Sequence, residues 1–176
     1  MKRLLLLRHA EAEAAPPGGG DHGRPLTPAG FVAAAALGHF LDAQGCLADL
    51  ALSSDARRAQ ETLDGLSAAL RVQPEARFDA AIYRADAEEL LAYVQAHGGA
   101  AHCLLVVGHN PAIGELARAL AQRGDEAART GLARGFPPAG LAIFGLTCAA
   151  WEDLGPRCAA LERFVTPAML PPARGR

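Results

Sequence analysis

The order of apolar and polar segments in this chain predicts an α/β fold, a three-layer sandwich in which helices flank a mainly parallel central sheet. Short apolar runs of strand length alternate with segments that have a helical pattern. Three of these runs, at residues 4–7, 50–52 and 104–107, end in polar residues where the strand is expected to meet solvent. Because alternating strands and helices are typical of parallel sheets, the repeated unit predicts this architecture.

The first strand is followed by a glycine- and proline-rich loop at 14–25. An alanine-rich helix is then predicted over 27–43. Thr27 has the side chain of an N-cap, and Pro28 suits the first helical turn because its fixed φ is already helical.

Two more strand-and-helix units follow in the middle of the chain. The strand at 50–52 leads to Ser54, which we expect to start the next helix. The strand at 103–107 leads to a helix that extends to about residue 122. Asn110 is its predicted N-cap, with Pro111 in the first turn.

The remaining elements are a helix at 88–96 and two strands near the C-terminus. A flexible region is expected at 124–140, and a core strand at 141–146. An edge strand is predicted at 158–164, and the proline-containing tail from Thr166 is predicted to be coil.

Length and composition suit one domain covering residues 1–176, with 51% hydrophobic residues and a mean hydropathy of +0.10. The net charge of −2 provides no broad basic surface, so nucleic-acid binding is not expected. No apolar stretch approaches the length of about 18 residues needed to span a membrane. The apolar run before Arg8 is too short for a signal peptide, so we expect a cytoplasmic protein.

The four cysteines, Cys46, Cys103, Cys148 and Cys158, lie far apart in the sequence and form no C-x-x-C pair. This spacing indicates free thiols in a reducing compartment. Neither a disulfide framework nor a zinc site is predicted.

Four motifs occur in a fixed order along the chain. They are Leu7-Arg8-His9-Ala10, Leu26-Thr27-Pro28-Ala29-Gly30, the segment from Ser54 to Thr62, and Val107-Gly108-His109-Asn110-Pro111. Together they resemble the histidine phosphatase, or phosphoglycerate mutase-like, superfamily, and in particular its small SixA-type protein-phosphohistidine phosphatases. The resemblance runs through most of the chain. It implies a phosphoglycerate mutase-like fold, and its S-x-x-x-R spacing selects Arg58 over Arg57.

The residue types in these motifs suit phosphoryl transfer. A transferring phosphoryl group carries negative charge that fixed cations and hydrogen-bond donors must meet. Arg8 and Arg58 can clamp the group, because a guanidinium stays charged and binds two oxygens at once, and His109 can provide a further donor. His9 is then the predicted nucleophile, which forms a phosphohistidine intermediate that water hydrolyses. The scheme requires no metal or cofactor.

An imidazole attacks only in its neutral form. Nearby arginine charges disfavour protonation, so we expect the pKa of His9 to be lowered.

Each assignment has a structural alternative. His9 could be a strand-end histidine whose ring binds a carbonyl, and His109 could serve helix entry, which is compatible with a role in the site. Arg57 is the expected surface residue of the arginine pair. Larger members of the superfamily place a glutamate between the second arginine and the second histidine as general acid. The candidate here is Glu88, with Asp86 and Glu89 beside it, although acidic residues are also favoured there by the helix dipole.

Three functions remain open at this stage. The first is a phosphatase for phosphohistidine on a phosphotransfer protein, which a missing general acid favours because a phosphohistidine nitrogen leaves more easily than an alkoxide. The second is a phosphatase for a small phosphate ester, and the third is a phosphate-binding module without turnover. The short span between Arg58 and His109 leaves little chain for a capping subdomain, so we expect an open, shallow pocket.

Overall fold

The computed structural model describes residues 1–15 and 17–171, which form a six-stranded sheet with helices on both faces. The strands are β1 (Lys2–Arg8), β2 (Leu50–Ser54), β3 (Glu75–Asp79), β4 (Cys103–Gly108), β5 (Leu141–Leu146) and β6 (Ala159–Val165). The helices are α1 (Pro28–Ala43), α2 (Arg57–Ser67), α3 (Ala80–Arg84), α4 (Ala87–His97), α5 (Ala112–Leu120) and α6 (Glu126–Ala133). Within these residues, no helix is both long and apolar enough to cross a membrane.

The strand order across the sheet is β3-β2-β4-β1-β5-β6. Strands β1 to β4 pair in parallel, whereas β5 is antiparallel to both of its neighbours, β1 and β6. Five of the six strands therefore point the same way, and β5 alone is reversed. The predicted mainly parallel sheet is confirmed, and β6 lies at its edge as expected.

The leucine run of β1 shows how the sheet is buried on both faces. Leu4 and Leu6 contribute to the core beneath α4 and α5, and Leu5 and Leu7 contribute to the core beneath α1 and α2. All four are completely buried. A strand covered by helices on both faces needs such a continuous apolar run, and each buried leucine contributes roughly 1.5–3 kcal/mol. The three layers follow from this burial.

Helix α1 begins as predicted, and its start fixes the chain segment after β1. Thr27 Oγ1 accepts a hydrogen bond from the Gly30 N–H at 2.9 Å, and Pro28 is the first helical residue. The Thr27 N–H donates to the Glu11 carbonyl at 3.0 Å. A Cβ at residue 30 would collide with the same carbonyl, so only glycine allows the helix to approach this closely. The second motif therefore holds the loop that follows Arg8 and His9.

Three segments differ from the sequence predictions. The region 124–140, expected to be flexible, contains α6, which Asp125 caps by accepting from the Ala128 N–H at 2.8 Å. Strand β3 was not predicted, because residues 75–78 are exposed at the sheet edge and contain no continuous apolar run. The tail forms a 3-10 turn at Pro167–Met169, while Pro172 lies outside the described residues.

Two predicted helix starts are also wrong in detail. Ser54 is the last residue of β2, and α2 begins three residues later at Arg57. Helix α5 begins at Ala112, with Pro111 at the N-cap position. Asn110 still serves the helix terminus, since its side-chain oxygen accepts from the Gly114 N–H at 3.2 Å.

Candidate active site

Four of the predicted site residues, Arg8, His9, Arg58 and His109, lie together at the carboxyl ends of β1, β2 and β4, where parallel strands of an α/β sheet commonly form binding sites. They border a cavity of about 370 Å³. Its lining residues are Arg8, His9, Glu11, Ala12, Asp21, Arg24, Arg58, His109, Asn110 and Pro138. Three of the four sequence motifs thus contribute to one cavity. The Leu26–Gly30 motif does not line it, but its Thr27 N–H donates to the carbonyl of Glu11, which is a lining residue.

The His9 ring is held in a single orientation. Its Nδ1 lies 2.7 Å from the Ala10 carbonyl oxygen, which can only accept, so Nδ1 carries the proton. Its Nε2 lies 3.3 Å from Arg58 Nε, which can only donate, so Nε2 presents its lone pair. The backbone is fixed as well, because the His9 N–H donates to Gly108 O at 3.0 Å. A ring that binds a carbonyl was the structural alternative to a catalytic His9, and the contact with Ala10 is present. The same contact places the proton on Nδ1 and so leaves Nε2 without one.

The pKa of His9 is lowered to about 4. Burial is the largest cause, the hydrogen bond to Ala10 opposes it, and the positive charges of Arg58 and Arg8 lower the pKa further. The direction agrees with the sequence expectation, but burial contributes more than the arginine charges. His9 is therefore neutral at pH 7.

Arg58, and not Arg57, is the arginine that faces His9. Arg58 is 5% exposed, and besides His9 its guanidinium binds Asp21, through the backbone oxygen at 2.6 Å and through Oδ2 at 2.9 Å. Arg57 points to solvent and pairs with Glu61 one helical turn further on, at 2.7 Å. The first turn of α2 thus directs two adjacent arginines to opposite environments.

His109 lies beside His9, with the two ring centroids 5.0 Å apart. Its Nδ1 is 3.3 Å from Arg58 Nη2 and therefore accepts, so its Nε2–H donates to Ser54 Oγ at 2.8 Å. Burial lowers the pKa of His109 to about 3, with further lowering by His9 and Arg58. Ser54, which was predicted to start a helix, instead orients this histidine, and its Oγ also accepts from the Ala56 N–H at 3.1 Å.

Arg8 reaches the cavity from the end of β1. Its Nη1 donates to the Phe136 carbonyl at 2.9 Å, and Asn110 Nδ2 donates to the same oxygen at 2.9 Å. Arg8 Nε is buried and has no hydrogen-bond partner within the described residues. Burial, together with the charge of Arg58, lowers the pKa of Arg8. Arg8 lines the cavity, so its guanidinium charge is available to an anion bound there.

Asp21 and Tyr83 complete the site, and sequence reasoning did not assign them a role. The Asp21 carboxylate binds Arg58, Arg24 at 2.9 Å and the Tyr83 hydroxyl at 2.8 Å. Hydrogen bonds from Arg24, Tyr83 and Arg58 hold the pKa of Asp21 well below its usual range. The Tyr83 ring packs edge-on against His109, with centroids 5.2 Å apart. The only sequence indication was the position of Asp21 in a glycine-rich loop soon after His9.

Residues 4–130 match the sequence profile of the histidine phosphatase superfamily, branch 1. The chain belongs to this superfamily. The match covers well over half of the chain and includes Arg8, His9, Arg58 and His109.

This member of the superfamily has relatives that match over nearly the whole chain. An uncharacterised protein of Mycobacterium tuberculosis is 35% identical over 163 residues, which are 92% of this chain and 99% of that protein. The structure of a candidate phosphohistidine phosphatase SixA from Nakamurella multipartitia is 31% identical, with a TM-score of 0.80 and coverage of 98% and 97% of the two chains. A SixA structure in complex with tungstate has a TM-score of 0.74 at 21% identity, covering 94% and 97%, and supports the fold alone.

The position of Glu88 does not support its predicted role as general acid of the phosphatase. Glu88 is exposed in the first turn of α4 and is not among the residues that line the cavity. Asp86 caps this helix by accepting from the Glu88 and Glu89 N–H groups, both at 2.9 Å. In turn, the Glu89 carboxylate accepts from the Asp86 N–H. The three acidic residues form a capping box and first turn, which is the structural alternative given above.

A larger groove of about 930 Å³ lies between α6, β6 and the C-terminal turn. Its lining includes Phe136, Phe164 and Leu170 but none of the four predicted catalytic residues. The smaller cavity contains the convergent arginines together with His9 and His109, whose pKa values are lowered, so the chemistry is assigned to it.

Proposed function

We propose that this histidine phosphatase removes the phosphoryl group from phosphohistidine on a phosphotransfer protein. The observation that carries the proposal is the neutral His9 ring, whose unprotonated Nε2 faces the cavity beside Arg58 at 3.3 Å. Neighbouring structures described as candidate SixA phosphohistidine phosphatases support the same activity. Such a partner fits the cytoplasmic location expected from the sequence.

In the first step, His9 Nε2 attacks phosphorus in line with the bond to the substrate nitrogen. The phosphoryl oxygens replace Asp21 on the guanidinium of Arg58, and Arg8, which also lines the cavity, provides a second guanidinium. As the P–N bond breaks, its electron pair remains on the substrate imidazole. The Nδ1–H bond to Ala10 stabilises the positive charge that the phosphorylated His9 ring acquires. Water then attacks phosphorus, releases inorganic phosphate and restores His9.

The acid–base character of the cavity favours a phosphohistidine substrate. An alkoxide leaving group needs a proton donor, and the carboxylic acids that line the cavity are Glu11 and Asp21. Asp21 is ionised at neutral pH because its pKa is far below the usual range, so it does not supply a proton. Glu11 accepts a hydrogen bond from the Thr27 hydroxyl at 2.9 Å, which directs its carboxylate towards the start of α1. When a phosphohistidine is protonated on its distal nitrogen, the histidine side chain leaves as a neutral imidazole. Its departure therefore needs no proton donor from the enzyme.

The rim of the cavity suits a phosphoryl group carried on another protein. Side chains at its mouth are partly open to solvent, with exposed fractions of 53% for Asp21 and 29% for Arg24. Between Arg58 and His109 the chain builds β3, α3, α4 and β4. None of these elements forms a separate capping subdomain, so a projecting histidine has access from this side.

The proposal is tested by phosphate release from a phosphohistidine-bearing phosphotransfer protein and from p-nitrophenyl phosphate, with equal enzyme. We expect a higher kcat/KM for the phosphoprotein, and no turnover of either substrate by the His9→Ala variant. Rapid quenching of the wild-type reaction is expected to trap an acid-labile phosphoryl group on the enzyme, which peptide mapping assigns to His9.

Other outcomes of this assay contradict the proposal in different ways. Preference for the ester would identify a small-molecule phosphatase. Retained turnover in His9→Ala would exclude His9 as nucleophile. Phosphate binding without turnover of either substrate would indicate a binding module.

A further inference from the structure

Two cysteines lie side by side where β5 and β6 are connected, and the proposed reaction does not use them. Cys148 Sγ and Cys158 Sγ are 2.9 Å apart, and both residues are partly exposed. Leu146 pairs with Ala159 in the antiparallel ladder, and the Thr147 N–H donates to the Cys158 carbonyl at 2.9 Å. The hairpin thus brings together two thiols that the sequence analysis treated as isolated.

We propose that Cys148 and Cys158 form a reversible disulfide when the protein meets a low-molecular-weight disulfide such as oxidised glutathione. A covalent S–S bond is about 2.05 Å long, so the two sulfur atoms need to approach each other by roughly 1 Å. Both cysteines lie outside the β5–β6 ladder, which ends at the Leu146–Ala159 pair. No other covalent change is required.

Both sulfur atoms are accessible to an oxidant, since both side chains are partly exposed. The Gly155 N–H donates to Cys158 Sγ at 3.4 Å, and the Gly155 and Asp153 carbonyl oxygens lie 3.4 and 3.5 Å from the same sulfur. Burial and its contact with Cys158 raise the pKa of Cys148 to about 11. Oxidised glutathione can therefore reach either sulfur, and the route through Cys158 is the one that the Cys148→Ser variant tests.

The exchange occurs in two steps. The Cys158 thiolate attacks one sulfur of oxidised glutathione, a mixed disulfide forms, and one glutathione thiolate leaves and is protonated. Cys148 then loses its proton to solvent and attacks Cys158 Sγ, and the second glutathione thiolate leaves. The protein is oxidised by two electrons and loses two hydrogen atoms, and one glutathione disulfide is reduced to two glutathione molecules.

The disulfide would close the segment that holds Trp151. This side chain is completely buried, and its Nε1–H donates to the Ala101 carbonyl at 2.9 Å. Its indole also packs against Gly98, where a Cβ would collide with the ring. Closing the loop from Cys148 to Cys158 restricts the unfolded chain, so the unfolding equilibrium constant is expected to fall about 10- to 100-fold. The oxidised form should therefore melt at a higher temperature.

The test incubates folded wild-type protein with oxidised glutathione, quenches with acid, and counts free thiols after denaturation. We expect two of the four thiols to be lost, a Cys148–Cys158 cross-linked peptide on mass mapping, recovery of all four thiols with dithiothreitol, and a raised melting temperature. The Cys46→Ser/Cys103→Ser double variant is the matched control and should form the same cross-link. Cys148→Ser should stop at a glutathione adduct on Cys158.

The proposal is overturned if wild type retains four thiols, or if the cross-link involves Cys46 or Cys103. It is also overturned if the control double variant fails to form the bond while remaining folded by circular dichroism. These readouts do not depend on any phosphatase assay, so they stand apart from the proposed function.

Discussion

The change Arg58→Ala isolates the arginine that connects the nucleophile to the phosphoryl group. In the structure both terminal nitrogens of Arg58 bind Asp21, and the substrate must take over these donors. Two charge-assisted hydrogen bonds, each contributing about 1.5–3 kcal/mol, give a total of about 3–6 kcal/mol. If they act in the transition state, kcat/KM on a phosphohistidine-bearing protein should fall about 150- to 25,000-fold. The measurement is the initial rate of phosphate release, with circular dichroism as a check on folding.

Arg57→Ala is the matched control, because it removes a guanidinium from the adjacent position of the same helix. Its exposed pair with Glu61 contributes about 0.3–0.5 kcal/mol to the helix, so we expect less than a twofold change in kcat/KM. Equal losses in the two folded variants would refute the assignment of Arg58. A tenfold or larger loss in Arg57→Ala alone would reverse it.

Three further predictions concern pH, the anion at Arg58 and the acidic helix start. The pKa values of His9 and His109, about 4 and about 3, lie below those of the unfolded chain. The stability that these neutral histidines contribute is therefore complete above pH ~6.5 and is lost as the pH falls towards 4. The melting temperature should fall over this range, and it should fall less steeply in the His9→Ala variant. Asp21→Asn removes the charge that competes for Arg58, so the inhibition constant of inorganic phosphate should decrease about fivefold in steady-state assays. Glu88→Gln should leave kcat within about twofold of wild type, while Asp86→Ala, which removes the helix cap, should lower the melting temperature by about 2–4 °C.

Each of these predictions has a contrary result. A melting temperature that does not change between pH 4 and 6.5 would show that the histidines are not buried in neutral form. Unchanged or weaker phosphate inhibition in Asp21→Asn would show that Asp21 does not compete for the anion. A large loss of kcat for an ester in Glu88→Gln would restore Glu88 as general acid.

The parts of the fold that the sequence predicts are those whose burial is uniform. The leucines of β1 and the apolar run of β4 are covered by helices on both faces, so both strands appear as continuous apolar segments. Strand β3 has an exposed edge position and therefore no continuous apolar run. Helix α6 was expected to be flexible because its region is bounded by glycines and prolines, whereas Asp125 caps a short helix there.

The candidate site likewise contains residues whose proximity follows from local sequence patterns and residues whose contacts do not. Arg8, His9 and His109 follow predicted strands, and parallel strands bring their carboxyl ends to one edge, so their proximity follows from local patterns. The bond between Tyr83 and Asp21 joins residues 62 positions apart, on the short helix α3 and on a 3-10 turn at Asp21–Gly23, where no periodic pattern exists. Contacts of this kind depend on the folded path of the chain and are not encoded in a local segment.

Strand β5 runs from the phosphoryl site at its start to the Cys148–Cys158 pair beyond its end. At its start, the Ala139 N–H donates to the His9 carbonyl and the Gly140 carbonyl accepts from the Arg8 N–H, so this end belongs to the phosphoryl site. At its far end, about 17–20 Å away along an extended strand, the chain turns through Cys148 towards β6. The length of β5 therefore keeps the Cys148–Cys158 pair away from His9. A fluorescent label attached at Cys148 would therefore lie outside the path by which substrate enters.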